Sequence, residues 1–515
     1  MLCYRANCRE PPAVTRDRIR PKSLRLKALI LVLAGALLAG CQGGAKAKPP
    51  AHEGPIVLIT IDALRADVIG ALGGAPGLTP AFDGFAQEAD WSGRAVSASS
   101  WTVPAMAALW TGFQPWRTAN WSGDRVVLSD ELTTLPEALK SAGYHTVAFR
   151  SNHWLQKKYG YAQGFDLFQY LKEGGRAQEY LMKLEGGREL VWIHILPPHA
   201  PYIRRDHLLP RLPDAPPNLP DKTRILDLQP YYDPAVPLPE EKEKEFRAMY
   251  ALNAAWADEL LGRMFMALKK SGHWDDSLVV VTSDHGEEFK EHGQITHGGN
   301  LGRVLVEVPL AVKLPKGFGR KLAIGEGKTV ATPRLWATLV EAAGGELVDG
   351  VAPSLFEESA HGALSELYQS DGVNRFSLVD GGYQLLWENH FAPPEPEYFA
   401  AQLEALGGKA QPPLSEPADA IFKRIADRFD RTYPLTGPAD RQPTLTLWRW
   451  TEKGSEPVND PSRLREMARH LKAAWIAANG SEILPSQVKG VAVPALSAED
   501  EAELRALGYV APRRR

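Results

Sequence analysis

Four short apolar runs constrain this chain more than any other feature. Ile56-Val-Leu-Ile-Thr-Ile61, Thr146-Val-Ala-Phe149, Val191-Trp-Ile-His-Ile195 and Leu278-Val-Val-Val-Thr282 are continuous and rich in β-branched residues. Such runs suit strands buried on both faces of a parallel sheet. Helical patterns separate them, so the expected fold class is α/β, a doubly wound and mostly parallel sheet. Thr134 and Glu137 form a capping-box pattern before Ala138-Leu139, and Gly143 follows as a stop signal. Between Glu240 and Gly272, Phe246, Met249, Tyr250, Trp256, Leu260, Leu261, Met264 and Leu268 fall at helical spacing. Nine prolines from Pro210 to Pro239 mark an irregular excursion before that helix, expected to lie over the sheet's C-terminal edge.

The pattern changes near residue 346. Phe376-Ser-Leu-Val379 and Tyr383-Gln-Leu-Leu-Trp387 flank Asp380-Gly381-Gly382, a hairpin signal, and Thr444 to Trp450 supplies a further strand. The expected organisation is a catalytic α/β domain over 55–345 and a smaller C-terminal α+β domain over 346–515. Pro393, Pro394, Pro396 and a helical segment around Ile421 to Phe429 mark an insertion in the latter, at about 389–441. A last helix is expected from Arg463 to Asn479.

The first forty residues look like an address. Arg16, Arg18, Arg20, Lys22, Arg25 and Lys27 precede the apolar run Ala28 to Gly40, which has the length of a signal-peptide core and is short for a membrane-spanning helix. Leu38-Ala39-Gly40-Cys41 resembles a bacterial lipobox, with Cys41 as the lipidated first residue of the mature chain. A plain secretory signal and an uncleaved anchor are the alternatives. Residues 41–54 then form a flexible tether, and Gln42 after the cysteine favours the outer membrane of the cell envelope, facing periplasm or exterior. The three cysteines are Cys3, Cys8 and Cys41, so the chain beyond them has neither disulfide nor cysteine metal site. The whole chain carries 59 Lys+Arg against 62 Asp+Glu. Removing the basic leader moves the net charge from -3 to about -9, which argues against nucleic acid as a partner.

Ligands in open parallel sheets bind beyond the carboxyl ends of the strands. Asp62 follows the first run. Asp284-His285-Gly286 follows the fourth, with His292 and His297 soon after, and the third carries His194 and leads to His199. Together these supply oxygen and nitrogen ligands for one or two divalent metals. An unpaired carboxylate at the end of a buried strand is costly without a cation or donor, which favours Asp62, Asp284 and His285. His194 and His292 are equally readable as hydrogen-bonded structural histidines. Thr102, just ahead of Pro104 and an expected helix N-terminus, suits either a nucleophile beside an anionic ester or a simple helix cap.

These segments carry a family resemblance. Ile59-Thr-Ile-Asp-Ala-Leu-Arg-Ala-Asp67, Thr79-Pro-Ala-Phe-Asp83, Trp101 to Gly112, Gly160 to Asp166, His199-Ala-Pro-Tyr202 and Thr282-Ser-Asp-His-Gly-Glu-Glu288 resemble, in order, the motifs of the sulfatase family of the alkaline phosphatase superfamily. Val308-Pro309-Leu310 and Leu504-Arg-Ala-Leu-Gly-Tyr509 fit as well. The resemblance implies a large α/β domain with a small C-terminal one, a divalent metal at the strand ends, and attack on a sulfate or phosphate ester.

The departures are informative. Sulfatases convert Cys or Ser of a C/S-x-P-x-R motif to formylglycine; here Thr102 holds that position and Met106 stands in place of the Arg. The paired aspartates after the first strand are reduced to Ile61-Asp62, and the Lys-x-His of the second strand reads Arg150-Ser151-Asn152. Asp62, Thr102, Asp284 and His285 resemble instead the first zinc site of phosphodiesterases and phospho-group transferases of the superfamily. The resemblance then implies a covalent Thr102 intermediate, with Zn, Mn or Ca as cofactor. His199 and His297 would complete a second site or bind the substrate oxyanion, and Asn152, His194 and His292 would lie on the substrate side. The reading is a sulfatase-like metallo-esterase leaning to phosphoester or phosphodiester substrates, the ester being a small molecule, glycan or lipid headgroup. A transferase with a lipid or glycan acceptor and a non-catalytic binding module are the rival classes.

Overall fold

The computed structural model describes residues 51–122, 125–171, 175–325, 328–359, 362–368, 374–389, 444–451 and 454–479. The leader with Cys41, most of the tether, the insertion at 389–441 apart from its first residue, and Leu504 to Tyr509 lie outside the described residues. Among the described residues no helix is long and apolar enough to cross a membrane.

The four apolar runs become neighbouring strands. β1 (Ile56–Ile61), β2 (Trp91–Val96), β3 (His145–Arg150), β4 (Leu167–Tyr170), β5 (Glu189–Ile195), β6 (Leu278–Ser283), β7 (Glu307–Lys313) and β8 (Val330–Ala331) form one sheet in the order β8-β2-β7-β6-β1-β5-β3-β4. β1 lies parallel to β5 and β6, and β7 alone runs against the others. Alternate residues of β1 enter opposite cores, as the pleat requires. Ile56 and Leu58 pack with α2 (Thr102–Thr111), α3 (Leu135–Ser141) and α6 (Arg334–Ala342). Val57, Ile59 and Ile61 pack with α1 (Pro80–Glu88), α4 (Gly175–Met182) and α5 (Glu240–Ser271).

Local signals locate the helix ends. Thr134 and Glu137 form the full capping box of α3. α5 stops at Gly272, whose φ of 86° suits glycine. The proline-rich excursion rests on the N-terminal turns of α5, where Leu208, Leu219 and Leu228 meet Phe246, Met249 and Tyr250, and Phe289 and Ile295 from the chain after β6 join the cluster.

The C-terminal region builds a separate antiparallel sheet: β9 (Ala363–Tyr368), β10 (Asn374–Asp380), β11 (Tyr383–Asn389), β12 (Thr444–Thr451) and β13 (Gly454–Pro457), in sequential order. Gly381 and Gly382, with φ of 55° and 77°, make the two-residue turn between β10 and β11. One face of this sheet packs on α7 (Pro461–Asn479) through Phe376, Leu385, Leu447, Met467 and Leu471. Its first strand is tied to the chain leaving β2, because Glu366 N donates to Ala98 O at 2.8 Å and Ser365 Oγ to Ser97 O at 2.6 Å.

Candidate active site

The register of the parallel strands brings the chemistry together. β1 ends level with β5 and β6, Ile61 lying opposite Ile195 and Ser283, so Asp62 and Asp284 leave the sheet side by side. Both are buried. Asp284 Oδ1 accepts from Ala63 N at 3.1 Å and from His285 N at 2.9 Å. Asp62 Oδ2 accepts from Asn152 Nδ2 at 2.5 Å. The other two oxygens, Asp62 Oδ1 and Asp284 Oδ2, are buried with no hydrogen-bond partner among the described residues.

His285 faces both of those oxygens. Its Nδ1 lies 2.8 Å from Gly286 O, and a carbonyl only accepts, so Nδ1 carries the proton and Nε2 presents a lone pair. That Nε2 is 3.6 Å from Asp62 Oδ1 and 3.5 Å from Asp284 Oδ2. Burial lowers the His285 pKa below the usual histidine value, consistent with a neutral ring. Burial and the charge of Asp62 push the Asp284 carboxyl up; burial would raise Asp62 too, but His199 and the hydrogen bond from His194 outweigh it and hold Asp62 below the ordinary carboxylate range. Two buried carboxylates facing one imidazole lone pair call for positive charge. Their unpaired oxygens and His285 Nε2 fit a divalent cation.

The Thr102 hydroxyl lies beside this cluster, 3.2 Å from His285 Nε2 and 3.4 Å from Asn152 Nδ2. The capping role left open by the sequence is not the one it takes. α2 starts at Thr102 itself, with Trp101 as N-cap, and the threonine side chain turns to His285. Tyr161 OH donates to Val103 O at 2.6 Å, which gives the Gly160 to Asp166 motif the task of holding this end of α2. Met106 is fully buried in the apolar core and takes no part in the site.

The histidines divide into three groups. His297 and His199 have ring centroids 4.9 Å apart, and His297 lies 4.5 Å from His285, so both flank the cluster as their spacing suggested. His194 Nε2 lies 3.3 Å from Asp62 Oδ2, and its Nδ1 lies 2.7 Å from Thr60 Oγ1, which also receives Trp192 Nε1. Atoms of Asp62, His194 and Asp284 all fall within 4.8 Å of one another, which makes His194 a further candidate ligand. It approaches the oxygen of Asp62 that Asn152 already uses, so orienting that carboxylate suits it better than ligation. His292 is not brought to the site. It sits in the 290–294 turn of a short hairpin and packs against Trp448 of the C-terminal sheet, ring centroids 5.6 Å apart.

Sequence reasoning passed over Glu287. It is fully buried, its Oε1 lies 2.9 Å from His297 Nδ1, and its Oε2 accepts from Tyr202 OH at 3.0 Å. A carboxylate two residues beyond His285 was the available signal. Ser97 Oγ, which donates to Asp284 O, is a second unmarked support of the site.

Comparison with known proteins agrees with this geometry. The family model described as Sulfatase matches residues 55–180 and 175–343, more than half of the chain. A multifunctional alkaline phosphatase superfamily protein of Trinickia caryophylli is 37% identical over 79 residues, which is 15% of each chain. An ulvan-active sulfatase of Formosa agariphila is 24% identical over 415 residues, covering 71% of this chain and 76% of that one. Alignment with the chain thus spans most of the second relative but only a small part of the first. The phosphonate monoester hydrolase of Agrobacterium radiobacter shares the fold, with a TM-score of 0.53 at 19% identity over 65% of this chain and 87% of that one. The ordered motifs, the strand-end cluster and the family match together establish that this chain belongs to the sulfatase family.

Proposed function

We propose that this chain is a metal-dependent hydrolase of sulfate or phosphate esters that works through a covalent Thr102 intermediate, leaning to phosphoesters and phosphodiesters. Family membership supports ester hydrolysis. The observation that carries the finer reading is Thr102 Oγ1 at 3.2 Å from His285 Nε2, beside two buried carboxylate oxygens that lack donors.

Asp62, Asp284, His285 and Thr102 would hold a divalent cation, whose chemistry is to lower the pKa of the Thr102 hydroxyl and to balance the two carboxylates. Asn152 Nδ2 orients Thr102 Oγ1. That oxygen, its proton released to solvent on ionisation, attacks phosphorus or sulfur as the bond to the leaving oxygen breaks, and His199 or His297 supplies the proton the leaving group takes. A water then attacks the same atom, a histidine accepts its proton, and the Thr102 oxygen is released. Threonine favours phosphorus in this scheme. A formylglycine sulfate can be released by C–O elimination, but a threonine sulfate has to be cleaved by a second displacement at sulfur. The basic and apolar leader ending at Cys41 supports a lipid-anchored location in a bacterial envelope.

The test is parallel turnover of aryl sulfate, aryl phosphate and aryl phosphodiester by residues 41–515 carrying Cys41→Ser, with zinc, manganese or calcium. Phosphodiester turnover with a phosphoryl adduct on the Thr102 peptide is the expected result. Sulfate turnover alone would overturn the phospho-preference, and turnover of none of the three would overturn the esterase reading.

A further inference from the structure

A row of polar side chains climbs β1 and β5 on the side that faces α2. In register, Leu58 lies opposite Trp192 and Thr60 opposite His194, and Asp62 N still donates to Ile195 O at 2.9 Å. Alternate residues of a strand share a face. The row therefore passes from the apolar core, where Leu58 and Trp192 pack, to the carboxylate of Asp62. Trp192 meets Trp110 of α2 edge-on, ring centroids 4.6 Å apart. Thr60, Trp192, His194 and Asp62 are all fully buried, so each polar hydrogen among them needs a partner.

Three contacts join the four residues. Trp192 Nε1 donates to Thr60 Oγ1 at 2.9 Å, Thr60 Oγ1 lies 2.7 Å from His194 Nδ1, and His194 Nε2 lies 3.3 Å from Asp62 Oδ2. An indole nitrogen only donates and a carboxylate only accepts, so both ends of the chain are fixed. Between them, one arrangement uses every proton. The Thr60 hydroxyl, already accepting from Trp192, donates to Nδ1, and Nε2 carries the ring proton to Asp62 Oδ2. The reverse tautomer would turn the Nε2 lone pair on a carboxylate oxygen and leave the Thr60 proton without an acceptor among the described residues.

The two oxygens of Asp62 are thereby given different tasks. Oδ2 receives His194 Nε2 and, at 2.5 Å, Asn152 Nδ2. Oδ1 receives no donor among the described residues and faces His285 Nε2 at 3.6 Å. The nitrogen of His194 that faces Asp62 bears a hydrogen, so it has no lone pair for a cation, although the ring's place beside Asp62 and Asp284 would permit one. Hydrogen bonds behind a ligand hold it in its binding orientation, and removing one costs about 10- to 100-fold in metal affinity.

We propose that Thr60 is a positioning residue: its hydroxyl fixes the His194 tautomer, which makes His194 a donor to Asp62 Oδ2 instead of a metal ligand and leaves Asp62 Oδ1 to the cation. This rests on the metal-dependent reading above, but its first test does not. In metal-free protein labelled with 15N-histidine, the His194 ring is assigned by the signals missing from His194→Gln. Wild type and Thr60→Ser are expected to show a protonated Nε2 and a bare Nδ1, and Thr60→Val to lose that pattern. Zinc titrated into wild type is expected to leave the Nε2 proton in place. Thr60→Val keeps the side-chain shape and should raise the zinc Kd by about 10- to 100-fold, Thr60→Ser by less than about threefold, and His194→Gln, whose amide can still donate to Asp62, by less than about tenfold. A protonated Nδ1 with a bare Nε2 in wild type, displacement of the Nε2 proton by zinc, or equal zinc Kd for wild type and Thr60→Val would overturn the proposal. Equal weakening by Thr60→Ser and Thr60→Val would also overturn it, because the loss would then come from packing and not from the hydroxyl. Wild type that binds no zinc yet shows the expected ring pattern would remove the metal reading and leave the tautomer assignment standing.

Discussion

Asn152 Nδ2 lies 2.5 Å from Asp62 Oδ2 and joins the exit of β3 to that of β1. The same nitrogen is 3.4 Å from Thr102 Oγ1, so one amide holds both a candidate ligand and the candidate nucleophile. Asn152→Ala is expected to lower kcat by about 10- to 100-fold while KM changes less than about threefold, since the contact acts on the attacking oxygen. Steady-state kinetics on an aryl phosphodiester check this; a rise in KM with kcat unchanged would assign Asn152 to substrate binding.

The unpaired oxygens of Asp62 and Asp284 imply that the metal-free protein stores repulsion. Adding zinc or manganese at 100 times its Kd is expected to contribute about 2.7 kcal/mol and to raise Tm by about 3 °C. Asp284→Asn removes a charge from the metal-free site, so its metal-free Tm should equal or exceed that of wild type, and the metal should no longer raise it. Thermal scans with and without chelator test both statements, and an undiminished metal-induced rise in Asp284→Asn would contradict them.

Met106 stands where sulfatases carry an arginine, yet its side chain is buried among Leu109, Leu335 and Leu339. Met106→Arg is therefore expected to destabilise the fold by about 3 kcal/mol or more, through an unpaired buried charge. Met106→Leu should cost less than about 1.5 kcal/mol. Denaturant unfolding distinguishes this from an active-site position, at which the arginine would be tolerated.

Arg65 binds Glu291 at 2.6 Å and Asp67 on its other side, and Arg247 reaches Glu291 at 2.9 Å. Burial alone would raise the Glu291 pKa, but the two guanidinium groups outweigh it and hold it below the usual glutamate value. A carboxyl depressed on folding contributes stability that is complete above its unfolded pKa and is lost as pH falls through the lower folded value. Glu291→Gln should thus cost about 1–2 kcal/mol at pH 7 and progressively less as pH falls below about 4. A pH-independent difference in unfolding free energy would sink this account.

The parts of the fold legible in the sequence were those with one dominant local signal. β1, β3, β5 and β6 are apolar throughout because both faces are buried, and α5 has an unbroken helical period. β2 and β7 carry no continuous strand pattern, since Gly93 and Pro309 interrupt them, and only pairing between β6, β7 and β2 makes them strands. In the site, Asp62, Asp284 and His285 were legible because they terminate those readable strands. The orientation of Thr102 and the diversion of His292 depend on how α2 and the β6 exit pack, which no local pattern encodes. Glu287 escaped notice because its role exists only through its contacts with His297 and Tyr202.

The central claim is that Thr102 is the nucleophile, and the most direct measurement is turnover of one aryl phosphodiester by wild type and Thr102→Ala at equal metal content. The account predicts a loss of at least about 1,000-fold in kcat for Thr102→Ala, with metal still bound by Asp62, Asp284 and His285. Turnover by Thr102→Ala at the wild-type rate would contradict it, and would leave the hydroxyl beside His285 without a catalytic role.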